Sequence, residues 1–76
     1  MERWYRFSAS GLKPLYGCGT LGQAFQFAGR LSRARDIMYS TRMLTDEEAR
    51  ELRLEDSSKA FSLTAALAEQ DWRPPE

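Results

Sequence analysis

The sequence predicts a small α+β domain: a three-stranded antiparallel sheet with helices on one face, in the order strand, strand, helix, strand, helix, helix. Three observations lead there. Residues 3–9 alternate, with Arg3, Tyr5, Phe7 and Ala9 on one side and Trp4, Arg6 and Ser8 on the other, the period of a strand. Two capping boxes, Thr20-Leu21-Gly22-Gln23 and Thr45-Asp46-Glu47-Glu48, announce helix starts. A chain of 76 residues, 42% of them hydrophobic and nine of them aromatic, suffices for one domain with a thin core. Folding at this size buries only about 60% of the unfolded surface.

The elements follow in order. After the first strand, Ser10-Gly11 punctuates the chain, and Leu12 to Tyr16 returns as a short second strand of a hairpin. Pro14 cannot donate to a ladder and places this strand at an edge. Gly17-Cys18-Gly19 reads as a break before a helix over about 21–34. On a helical wheel Leu21, Ala24, Phe25, Phe27, Ala28 and Leu31 fill one arc, while Gln23, Gln26, Arg30 and Arg33 lie opposite. Residues 36–44 alternate again as a third strand. A short helix over about 46–53 turns Ala49 and Leu52 inward, and its three acids suit the positive end of a helix dipole. A last helix over about 58–70 ends at Pro74-Pro75, with residues 71–76 as a flexible tail of the single domain 1–76.

The charges cancel overall but not locally. Residues 1–42 carry seven cations against Glu2 and Asp36, a net +5, and residues 43–76 carry four cations against nine acids, a net −5. Separated poles set association and partner choice rather than fold. Nine arginines against two lysines lean the same way, since the guanidinium forks onto carboxylates and phosphates, and a GC-rich genome accounts for the bias equally well. There is no histidine. One cysteine, Cys18, fits a reducing compartment and forms no internal disulfide. No apolar run reaches the ~18 residues of a membrane span, and Met1-Glu2-Arg3-Trp4 lacks a signal-peptide pattern. The expectation is a cytoplasmic protein complete from Met1.

Chemistry finds little purchase. Cys18 precedes a helix N-terminus, where a thiol is acidified, but a catalytic cysteine needs a base and no imidazole is present. Gly17-Cys18-Gly19-Thr20-Leu21-Gly22 matches neither Walker A nor the dinucleotide fingerprint, and helix capping accounts for it. The acids Asp46, Glu47, Glu48, Glu51, Glu55 and Asp56 lie as on a solvated helix face, or as an acidic surface for a basic groove. No residue is assigned to catalysis, to a metal or to a cofactor. The candidates for contact are Arg30, Arg33 and Arg35 on and after the long helix, Arg6 beside Trp4 on the first strand, Arg42 on the third, and Glu47, Glu48 and Glu51 on the acidic helix. Arginine beside aromatic and amide groups is a composition enriched at interfaces and usable on phosphates.

In style the chain resembles the small accessory proteins of phages and mobile elements, and among them the anti-CRISPR proteins. The likeness is carried by the aromatic strand Arg3-Trp4-Tyr5-Arg6-Phe7, the turn at Ser10-Gly11, the entry Thr20-Leu21-Gly22-Gln23-Ala24, and the acidic stretch Leu44-Thr45-Asp46-Glu47-Glu48-Ala49. No diagnostic motif is among them, so no family site residue is carried over. The resemblance implies a non-enzymatic inhibitor that binds a CRISPR-Cas surveillance complex or its nuclease and blocks target-DNA binding or cleavage. The expected function is therefore binding to a protein, with a small nucleic-acid-binding or regulatory protein using its arginines as the alternative, no membrane, and a homodimer left open.

Overall fold

The computed structural model describes residues 1–58 and 60–73. The chain folds as α+β, but around a four-stranded mixed sheet rather than three antiparallel strands. The strands are β1 (Arg3–Ser8), β2 (Leu15–Gly19), β3 (Ser40–Met43) and β4 (Ala60–Ser62), in the spatial order β3-β1-β2-β4. Three helices accompany them: α1 (Leu21–Arg35), α2 (Asp46–Glu51) and α3 (Leu63–Ala68).

β1 and β2 form the expected antiparallel hairpin, with Tyr5 opposite Gly17 and Phe7 opposite Leu15. The turn closes through the Leu12 amide on the Ala9 carbonyl at 3.2 Å, and Gly11 supplies the positive φ of 78° that the turn requires. The return strand starts later than expected and runs through Gly17-Cys18-Gly19, which is strand and not a break. The reason is non-local. A Cβ at Gly17 would lie 2.9 Å from Leu63 and from Phe61, and one at Gly19 would lie 2.8 Å from Leu63. The two glycines are a slot in the sheet for the side chains that follow from the far end of the chain.

That far end holds the main correction to the sequence reading. Residues 60–62 form β4, parallel to β2, with Gly17 opposite Phe61 and Cys18 opposite Ser62, where a single long helix was expected. The helix begins only at Leu63, capped by Ser62. Its inward residues are Leu63 and Ala66, whereas Thr64 and Ala68 are exposed. The third strand is likewise shorter than expected, because Asp36 takes a left-handed conformation as the C-cap of α1 (φ 52°) and Ile37 and Met38 are exposed.

One core joins the sheet to α1 and α3. Tyr5, Phe7, Leu15, Ala24, Phe27, Ala28, Leu31, Tyr39, Leu63 and Ala66 form one buried cluster. Phe27 is its hub, with ring centroids 5.0 Å from Phe7, 5.2 Å from Phe61 and 5.0 Å from Trp72. Trp72 also lies 4.7 Å from Phe61, so the segment read as a tail reaches the core at that residue, and residues 74–76 of it lie outside the described residues. Leu21 and Phe25, assigned to the apolar arc of α1, are exposed at its margin.

Candidate interaction surface on the second face of the sheet

Strand alternation sends Tyr5, Phe7 and Leu15 to the helices, and therefore Trp4, Arg6, Ser8, Tyr16, Cys18, Ser40 and Arg42 to the other side. The register sets these residues in rows. Arg42, Arg6, Tyr16 and Ala60 stand abreast across all four strands, and Trp4, Cys18 and Ser62 form the next row. Arg6 is thus directly opposite Arg42. Like charges so placed repel and destabilise a strand pair.

The expectation of helices on one face is corrected here. α2 and the 3-10 turn Leu54–Asp56 close over the Trp4 end of this second face and leave a groove of about 440 Å³. Trp4, Ala49 and Leu54 supply its apolar lining; Asp46, Glu55 and Asp56 line it together with Arg50 and Arg53. Leu44 and Leu54 are buried outside the main core cluster. Leu52, expected inward, is 47% exposed, because α2 ends at Glu51 and Arg53 turns left-handed (φ 53°) to redirect the chain.

α2 is fixed by local chemistry. Thr45 Oγ1 accepts from the Glu48 amide at 3.1 Å, and Glu48 Oε1 accepts from the Thr45 amide at 3.2 Å. The same carboxylate receives Arg42 on both oxygens, at 3.3 and 2.8 Å. Arg42 first, then the Thr45 amide, hold the Glu48 carboxyl below its usual range. This pair ties the acidic helix to the basic sheet. Glu47 and Glu51 are exposed on α2.

Arg6 differs from its neighbour. It is half-buried, and its Nε is buried with no hydrogen-bond partner among the described residues. A buried donor without an acceptor costs free energy.

The arginines expected on α1 do not join this surface. Gln23 and Arg30, placed on a polar outer face, turn to α3 instead. Gln23 Nε2 donates to Thr64 Oγ1 at 3.0 Å, and Arg30 donates to the Ala66 carbonyl at 3.2 Å, to the Leu67 carbonyl at 3.4 Å and to the Glu69 carbonyl. Arg30 therefore satisfies the carbonyl end of a short helix, which is structural chemistry. Arg35 donates to Tyr39 Oη at 2.8 Å, and Arg33 is exposed beside Ile37 and Met38. Both sit in the last turn of α1, where the dipole favours cations.

Sequence reasoning passed over Tyr16, which completes the row with Arg6 and Arg42. Tyr16 lay inside the expected return strand, but only the hairpin register sets it opposite Arg6. Cys18 shares the surface but is not activated. Burial, then the charges of Glu2 and Glu55, push its thiol above the ordinary range. Among the described residues, no three or more Cys, Asp or Glu side chains come together as a metal would need, and no helix is long and apolar enough to cross a membrane. No protein-family model matches the chain, and no match was found among curated proteins or solved structures.

Proposed function

We propose that this chain is a non-enzymatic protein-binding module, an inhibitor or adaptor of the phage type, which works through the second face of its sheet. One observation carries the reading: two arginines stand directly opposite each other beside Tyr16 and Trp4, and only Arg42 has a carboxylate partner, Glu48, among the described residues. Aromatic and arginine side chains around a half-open groove match the anchors that dominate protein interfaces. For an anti-CRISPR-type partner, the module would occupy a surface of the effector and deny it to target DNA.

The acids beside this face argue against an extended polyanion as the partner, because Asp46, Glu55 and Asp56 border the groove next to the arginine row. The test is capture from host lysate on the immobilised chain, with Arg6→Glu as the contact variant. Arg6→Glu is expected to abolish capture of the wild-type partner while the melting temperature holds within a few degrees. Binding of random duplex DNA at physiological salt, weakening with salt by a log–log slope of about −0.9 per phosphate neutralised, would replace this reading by nucleic-acid binding.

A further inference from the structure

Resting on the protein-binding reading, we infer the chemistry of the segment that this face takes: an extended stretch of a partner with a carboxylate at one position and a lysine or arginine two residues away. The face carries two charge zones in fixed order. The first is the Arg6–Arg42 row, and the second is the groove one row along β1, where Trp4 meets Asp46, Glu55 and Asp56. Trp4 and Arg6 are two residues apart on one strand, which sets the zones roughly 6.6 Å apart. Side chains at positions i and i+2 of any extended segment share a face at that same spacing.

The charges complement such a segment at both ends. A carboxylate over the row meets the half-buried guanidinium side chain of Arg6 and the outer donors of Arg42, whose side chain is 57% exposed. Guanidinium has five donors, and its bidentate pairing with Glu48 leaves others to share. A cation over the groove meets a lining whose three acids outnumber Arg50 and Arg53, beside an indole, a ring that attracts positive charge. An all-acidic segment would set its second charge against Asp46, Glu55 and Asp56. An all-basic one would meet the arginine row. Alternation of sign is what the face selects.

The probe is the peptide Ac-Thr-Glu-Thr-Lys-Thr-amide, followed by two-dimensional proton–nitrogen spectra of the full chain. The Trp4 indole and Arg6 Nε–H signals are expected to shift and saturate. The analogue with Gln in place of Glu, and the variant Arg6→Gln, should each weaken binding by about tenfold, the scale of one charged hydrogen bond. Arg6→Lys keeps the charge and should retain most of the affinity, which separates lost contact from lost fold. Glu48→Gln frees Arg42 and should tighten the peptide. Shifts that miss Trp4 and Arg6, no shifts at all, or equal affinity for the Gln analogue would overturn the segment chemistry and leave the module reading standing. Saturation of the same two signals by a ten-nucleotide oligothymidylate at lower concentration than the peptide would overturn both.

Discussion

Arg30 and Arg6 carry the same side chain and do opposite things. Arg30 has its guanidinium against three carbonyls at the end of α3, so its charge is consumed within the fold. Arg6 has its Nε buried with no acceptor. The difference was illegible in the sequence, where Arg30 looked like part of a cationic helix face and only the approach of residues 66–69 gives it another role. Arg6 was legible, because strand alternation alone sets it opposite the core residues Tyr5 and Phe7. Removing Arg30 should therefore cost stability rather than binding. Arg30→Ala is expected to lose about 1.5–3 kcal/mol, the range for hydrogen bonds to a charged group. A thermal melt would read this as a fall of about 4–8 °C per kcal/mol for a domain of this size. An unchanged melting temperature would return Arg30 to the list of contact residues.

Elements with local causes were read from the chain; those with distant causes were not. Both capping boxes form as expected, since Thr20 with Gln23 and Thr45 with Glu48 need nothing beyond four consecutive residues. β4 was missed because Ala60-Phe61-Ser62 has no strand signal of its own, and its reason for extending is the slot at Gly17 and Gly19 in β2. The same slot explains why two glycines sit where a loop was expected. For α2, the capping carboxylate is also titratable. The Glu48 carboxyl titrates lower in the fold than in the unfolded chain, so its contribution is complete above the ordinary carboxylate range and is lost as pH falls through the lowered folded value. The protection factors of the Thr45 and Glu48 amides, taken against their intrinsic exchange rates at each pH, should fall on acidification across that window. Glu48→Gln keeps an acceptor for the Thr45 amide and should flatten the dependence; a persistent acid transition in that variant would assign it to other carboxylates.

At the scale of the molecule, the two charge poles are joined by Arg42 and Glu48, and the acidic segment 46–56 folds over one end of the sheet from the basic half. The poles thus become neighbouring zones of one surface. The core on the other side is small and aromatic, and its last ring comes from Trp72. Because Trp72 is half-buried, Trp72→Ala should cost roughly 2 kcal/mol, less than the 3–5 kcal/mol of a fully buried aromatic. Urea unfolding would show the midpoint falling with Trp72→Ala and staying close to wild type with Trp72→Phe. Equal midpoints for all three chains would mean that the ring contributes nothing to stability.

The glycine slot also dictates an order of events during synthesis. Leu63 and Phe61 are needed to fill it, yet both leave the ribosome more than forty residues after Gly17 and Gly19. Until they emerge, the hairpin carries a bare hydrogen-bonding edge with a hollow beside it, the kind of border that recruits stray strands. Completion of this sheet thus depends on a long-range closure, and a chain truncated before residue 60 would leave the β2 edge bare.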